Sequence, residues 1–242
     1  MKNNTNAFLS AKWEYLAMLN YNIPDEVLLP FLPKCTQLDK WNGHAMVSVV
    51  GFLFNNTKVF GFKWPWHTNF EEINLRFYIK YFDGKIWKRG VAFISEIVPK
   101  PIIALTANFL YNEHYTYMPT QHQLTINSDV VAVDYAWKNK KYWNKLSVTA
   151  ENKPTLILPN TQEEFIFEHY WGYNQLNNNT LIEYGLTHKK WKVYPVLNHN
   201  LGANISQLYG QSFHKYLSQK PDSVFLAEGG EVVVNKPKFI KV

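Results

Sequence analysis

Asn69-Phe70-Glu71-Glu72-Ile73-Asn74-Leu75-Arg76-Phe77-Tyr78 alternates with the period of a β-strand. Ile73, Leu75 and Phe77, followed by Ile79, fall on one face. Glu72, Asn74, Arg76 and Tyr78 fall on the other. The polar face of a half-buried strand is ordinarily bland, whereas this one carries an acid, an amide, a guanidinium and a phenol in turn. The pattern leaves two readings open. The four groups can grip a small polar ligand or close into an internal network, or they can form a solvated face with a Glu–Arg cross-pair.

Around this strand the chain punctuates itself as a β protein. Asp83-Gly84-Lys85 is a strong turn signal, and residues 89–98 read as the returning strand. Upstream, residues 11–20 and 45–54 read as strands. Asn22-Ile23-Pro24-Asp25-Glu26 opens a short helix between them, with the cap near Asn22 or Ile23, and Trp41-Asn42-Gly43-His44 reads as a hairpin turn. Pro101 suits a first helical position, and the apolar run behind it predicts a helix over 101–111. Strands are expected at 123–125, 130–137, 145–150, 165–171, 181–186 and 191–196. Ile205, Leu208, Tyr209, Phe213, Tyr216 and Leu217 keep helical spacing and predict one long helix. Residues 224–227 and 232–234 predict a closing hairpin around a Glu228-Gly229-Gly230-Glu231 turn. The sum is a mainly β, β-rich α+β chain with a few helices. A closed antiparallel barrel or strongly bent sandwich leaves the fewest open edges. With no linker or low-complexity stretch, a single domain over 1–242 is expected.

Composition narrows the function classes. The chain is 46% hydrophobic, enough for a large core, and 17% aromatic, which suits strands and ligand cavities. Its net charge of +6 leaves open a basic nucleic-acid binder. The cations are scattered, however, and Lys138-Asn139-Lys140-Lys141 reads as a solvated hairpin loop, so no nucleic-acid partner is expected. Cys35 is the one cysteine, so no disulfide can form within the chain and a reducing compartment is expected. Residues 1–8 lack a signal-peptide core and no apolar run reaches membrane-spanning length. A cytoplasmic protein without a membrane partner follows as the expectation.

Three further clusters carry titratable groups. In Tyr111-Asn112-Glu113-His114-Tyr115, the end of the apolar helix favours a protonated imidazole. His114 is therefore expected to titrate slightly above the ordinary value of about 6.5 if it stays solvated, the plain alternative for the segment being a capping loop. In Glu168-His169-Tyr170-Trp171-Gly172-Tyr173, neighbours on a strand face opposite ways. Glu168 should then not pair with His169, which is expected to be buried, neutral and structural. Glu183-Tyr184 with His188 and Trp191 is weaker, because Lys189 and Lys190 mark an exposed turn. There is no Gly-rich phosphate loop and no Gly-x-Ser-x-Gly elbow. The eight histidines form no close pair, so neither metal nor cofactor is expected.

Residues 70–78 resemble the signature of the YqjF-like family of uncharacterised bacterial proteins. So do Arg89-Gly90-Val91-Ala92-Phe93 with Glu96-Ile97-Val98-Pro99, Tyr111–Tyr115 and Glu168–Tyr173. Leu32-Pro33, Leu38-Asp39, Trp41, Gly43, Tyr209-Gly210 and residues 221–229 fit in order. The resemblance implies the acetoacetate-decarboxylase superfamily, a closed cone-like antiparallel β-barrel and an internal cavity. The decarboxylase works through a lysine Schiff base placed after the helix that corresponds to 101–111. His114 or Tyr115 stands there in this chain, and neither can form an imine. Its acid corresponds to Glu71 or Glu72, the spacing leaving the choice open.

These readings give a cavity for a small organic, anionic ligand. Arg76 is the carboxylate clamp, because its planar fork suits bidentate pairing. Glu72 and His114 are the acid–base candidates. Asn74, Tyr78, Glu113, His169 and Trp171 are the expected binding groups. An enzyme acting on a small carbonyl or carboxylate compound without an imine is one expectation, and a non-catalytic small-molecule-binding protein is the other. The sequence sets no oligomeric state. Lys100 and Lys12 are the lysines best placed to restore imine chemistry.

Overall fold

The computed structural model describes residues 6–242; Met1–Thr5, within the N-terminal stretch read above, lie outside the described residues. β1 (Ala7–Ile23) leads into α1 (Asp25–Leu28), whose cap is Pro24 rather than Asn22 or Ile23. β2 (Thr36–Leu38) and β3 (Lys40–Trp41) follow, and β4 (His44–Val59) starts beyond a tight turn. Asn42 and Gly43 both take positive φ there, as a two-residue hairpin demands. β5 (Phe70–Phe82) and β6 (Trp87–Val98) form the expected hairpin, with Gly84 at φ +92. Then come α2 (Pro101–Tyr111), β7 (Tyr115–Tyr117), β8 (Thr120–Ile126), β9 (Val130–Asn139), β10 (Tyr142–Glu151) and β11 (Thr155–Leu156). The last third holds α3 (Gln162–Phe167), β12 (Trp171–Asn177), β13 (Thr180–His188), β14 (Lys192–Tyr194), β15 (Val196–Gly202), α4 (Ile205–Tyr209), α5 (Gln211–Leu217), β16 (Ser223–Asn235) and β17 (Lys238–Lys241).

Pairing in the order β1-β4-β5-β6-β12-β13-β16, with β16 returning to β1, closes the main sheet on itself. Closure removes the open edges that so many strands would otherwise expose. The joins are antiparallel except at β6–β12, a short parallel seam. β8, β9, β10 and β15 make a second sheet that packs on the outward faces of β4 and β5. Val47, Val49, Ile73, Leu75 and Phe77 meet Val133, Tyr135, Trp137 and Leu146 in that outer core. Tyr135 fits because position 51 is glycine; a Cβ there would lie 2.6 Å from its ring. The inward faces carry Met18, Met46, Val50, Phe52 and Tyr78, filled by Phe165, Ile166 and Phe167 of α3.

Three expectations give way. Residues 165–171 are not a strand. Thr161 caps α3 by accepting from the Glu164 amide, and that cap wins over the aromatic run behind it. The late helix is broken into α4 and α5 by Gly210 at φ +89. Glu228–Glu231 is no turn, since β16 runs straight through it. A Cβ on Gly229 would sit 2.0 Å from the Trp13 carbonyl oxygen, so that glycine serves close strand approach and not reversal. Among the described residues no helix is long and apolar enough to cross a membrane.

Candidate functional site

The register of β5 and β6 assembles the site. Alternation turns Glu72, Asn74, Arg76 and Tyr78 inward and Glu71 outward. On β6, Val91 and Phe93 also face inward, which should carry Ser95 inward next. Instead Leu75 pairs with Ser95 and Arg76 with Phe93, leaving Ile94 as an extra residue. This β-bulge flips the face, so Glu96 turns inward opposite Asn74 and Ile97 joins the outer core.

Glu72, Glu96 and Glu113 thus meet inside the ring. Glu72 is 4% exposed and Glu96 2%. Asn74 donates to Glu72 Oε1 at 3.0 Å and the Tyr115 hydroxyl to Oε2 at 3.1 Å. Glu113 Oε1 accepts from Tyr184 at 3.1 Å and Oε2 from Asn174 Nδ2 at 3.3 Å. Tyr184 lies flat across Gly172, where a Cβ would be 2.1 Å from its ring. Burial pushes the Glu72 and Glu113 carboxyls up to about 7, against the hydrogen bonds that favour their charged forms. Glu96 is raised further, by burial and then by the charges of Glu113 and Glu72. Carboxyls so crowded cannot all ionise, and the cluster holds protons at neutral pH.

Arg76 stands beside this acid end, and its charge reaches Glu72. Its Nη2 lies 3.8 Å from Met18 Sδ, and its buried Nε has no hydrogen-bond partner among the described residues. Beyond it the inward face becomes an imidazole end. Tyr78 shares a 2.6 Å hydrogen bond with Ser48 Oγ, which donates to Asn20. The ring of Tyr78 contacts those of Phe165 and His169. His169 Nε2 lies 3.1 Å from Asp39 Oδ2, which also accepts from Arg89 Nε at 2.6 Å. Burial drops the His169 pKa to about 4, so its ring is neutral.

The structure therefore brings Glu72, Asn74, Arg76 and Glu113 together, with Tyr78 and His169 further along the same face. Two sequence candidates fall elsewhere. Trp171 lies on the opposite face of β12 from Gly172 and Asn174, packed on the outer core under Lys88. Strand alternation forces that separation. His114 is exposed, and its backbone oxygen accepts from the Glu96 amide. Partial desolvation lowers its pKa, opposite to the expected rise. Asn112 ends α2 in a left-handed cap, so the chain has left the helix axis before His114. Glu96, Tyr115, Tyr184 and Asn174 complete the acid end; Tyr115 and Tyr184 belong to clusters the sequence singles out, but none of the four is among its expected site groups. Only the parity of a bulged strand could have pointed to Glu96.

Lys12 is tied to Glu14 and Lys88 to Glu183, and each has its pKa raised. Lys100 lines an outer cleft with Glu71 and His122. Among the described residues no group of three or more His, Cys, Asp or Glu is arranged to hold a metal ion.

The closed ring and its outer sheet have the fold of acetoacetate decarboxylase. Acetoacetate decarboxylase from Legionella pneumophila superposes with a TM-score of 0.64 at 14% identity, over 98% of this chain and 89% of that one. The enduracididine biosynthesis enzyme MppR complexed with pyruvate gives 0.65 at 11%, over 98% and 91%. An acetoacetate decarboxylase-like enzyme from Sphingomonas wittichii gives 0.64 at 10%, over 98% and 94%. At such identities the likeness is one of fold. A search of curated proteins finds no match. Residues 10–231 match the model of DUF2071, described as an uncharacterized conserved protein (COG2071), and the chain belongs to that family.

Proposed function

We propose that the inward face of the ring binds a small organic carboxylate or carbonyl compound and exchanges protons with it through Glu72. One observation carries this reading: two buried carboxyls and a half-buried third, Glu113, share an interior with a guanidinium whose Nε lacks an acceptor among the described residues. Arg76 supplies the clamp for an anionic group. A carboxyl poised at about 7 is matched to acid–base work near neutral pH. Glu113 and Glu96 hold the reservoir of protons beside it, and Tyr115 and Tyr184 fix the geometry.

The chemistry is proton transfer without an imine. Tyr115, at one of the two candidate places for the decarboxylase lysine, donates its hydroxyl to Glu72 instead. The pyruvate complex of one fold relative supports a keto acid as the first compound to try.

The test is proton exchange of pyruvate and acetoacetate in D2O, followed by NMR. Glu72→Gln should slow exchange at least about a hundred-fold, the usual scale for a lost general acid–base. Arg76→Met should raise KM more than it lowers kcat. Saturable binding without exchange would point to the second reading, a non-catalytic binding protein. That reading draws support from the hydrogen bonds that already satisfy much of the cluster. Neither binding nor exchange would overturn both. A borohydride-trapped adduct of either keto acid on Lys100 or Lys12 would restore imine chemistry.

A further inference from the structure

Outside the ring, where β5 and β8 face each other, lies a pocket of about 240 Å³ that the acid end does not touch. Glu71, Lys100, Thr120, His122, Asn55 and Asn69 line it. Glu71 is the neighbour of Glu72 that alternation turns outward. It accepts from Thr120 Oγ1 at 2.6 Å and faces His122 Nδ1 at 2.5 Å. The carboxylate stays below its ordinary pKa: burial opposes ionisation, but the bonds from Thr120 and His122 outweigh it.

Each polar group here has spent one side on the protein. Nδ1 of His122 is committed to Glu71, which fixes the ring and turns Nε2 away from the carboxylate. Asn69 Oδ1 accepts from the Asn56 amide, leaving its Nδ2 donors. Asn55 Nδ2 donates to Glu14, leaving its carbonyl. Lys100 has no salt bridge among the described residues. Glu71 has its partners in Thr120 and His122, whereas the Lys100 ammonium, on the same pocket wall, is not engaged by it in an ion pair. An ammonium and an amide donor suit an oxyanion, and the oriented Nε2 of His122 accepts from a protonated ligand oxygen when the ring is neutral or donates to a bare one when the ring is doubly protonated.

We propose that this pocket is a second ligand site, taking a small oxyanion on Lys100, Asn69 and His122, with Glu71 as the positioning residue for the imidazole. It is independent of the interior site, which lies on the other face of β5.

Inorganic phosphate and acetate are the probes, titrated into the full chain at constant ionic strength while the His122 ring signals are followed by NMR. A saturable shift is expected with one or both. Saturation by phosphate alone assigns a phosphoryl ligand, and saturation by acetate alone a carboxylate. Lys100→Met should weaken binding about ten-fold or more in the ring signals, and His122→Gln should do the same when binding is read by calorimetry, the scale of one charge-assisted hydrogen bond. Arg76→Met should leave it unchanged. A shift that never saturates with either probe, or that is the same in Lys100→Met, overturns the proposal. So does a shift lost in Arg76→Met and kept in Lys100→Met, which would assign the anion to the interior.

Discussion

The two ends of the ring interior are built from the same alternating strands and treat protons in opposite ways. At the acid end, Glu72, Glu96 and Glu113 are buried against one another, and burial favours the protonated form. At the imidazole end, His169 is buried beside an Asp39 already shared with Arg89, and burial favours the deprotonated form. Desolvation is the leading cause in both places, and in both it removes charge. The difference lies in what surrounds the neutral group. Aromatic rings pack tightly around His169, whereas hydroxyls, amides and a guanidinium surround the carboxyls. The first is a way to lock a wall, and the second a way to keep protons available.

The largest effect should come from unlocking that wall. Tyr78 is 1% exposed and joins Ser48, Phe165 and His169. Tyr78→Ala should cost about 3–5 kcal/mol in urea unfolding, as for other large-to-small core changes. Tyr184→Phe at the acid end removes one hydroxyl bond and should cost about 1–2 kcal/mol. Equal costs would erase the contrast between a packed wall and a polar site.

Stability against pH sharpens the comparison next. A carboxyl raised from 4.5 to about 7 keeps its proton when the unfolded chain has lost it, so folding weakens as pH rises from 4.5 to 7. An imidazole lowered from 6.5 to about 4 works the other way, and folding weakens as pH falls from 6.5 to 4. Each shift spans an energy of about 3 kcal/mol at most. Between pH 4.5 and 6.5 the two slopes oppose one another. His169→Gln should expose the acid slope, and Glu72→Gln should reduce it, in chemical unfolding across that range. A Glu72→Gln slope as steep as that of the wild type, or no change of slope in His169→Gln, would sink the assignment.

Gly172→Ala tests how the acid end is shaped. The new Cβ would fall on the Tyr184 ring, which must move off Glu113. Overpacking of this kind costs about 1–3 kcal/mol. Loss of the hydroxyl bond should raise the Glu113 pKa further, visible in carboxyl carbon NMR. An unmoved Glu113 would mean that Tyr184 does not tune it.

Much of this contrast was legible in the sequence, and the failures share causes. Alternation in 70–79 gave the inward face, Asp83-Gly84 gave the hairpin, and Pro101 gave the helix start. Parity failed at β6, because a bulge at Ile94 leaves no signature in a run of apolar residues. It failed again at Trp171, where counting β12 from residue 165 set no face, since 162–167 are helical. Glycines misled twice: Gly210 breaks a well-spaced helix, while Gly229 permits close approach where a turn was expected. His114 was read from the field of a helix end, which the Asn112 cap takes away. Local pattern names the groups on a strand, but irregular backbone decides which of them meet.

The smallest effect, and the sharpest, concerns Glu96. Its carboxyl is pushed well above the ordinary range by burial and by the charges of Glu113 and Glu72, which favours its protonated form. Glutamine has nearly the shape of that neutral acid. Glu96→Gln should therefore change stability by less than about 1 kcal/mol below pH 4.5, where the unfolded Glu96 is protonated as well, although the side chain is buried and charged residues so placed are usually costly to alter. As pH rises to neutrality the unfolded chain gives up this proton, and the folded wild type must either ionise a third carboxyl beside Glu72 and Glu113 or hold its proton against the solvent. The variant has no such choice and should be the more stable of the two there. Urea unfolding at pH 4 and pH 7 checks both statements. A loss of about 3 kcal/mol at pH 7 would mean that Glu96 is ionised and paired with a cation. The acid end would then be a salt-bridged wall like its opposite, and the reservoir of protons would be gone.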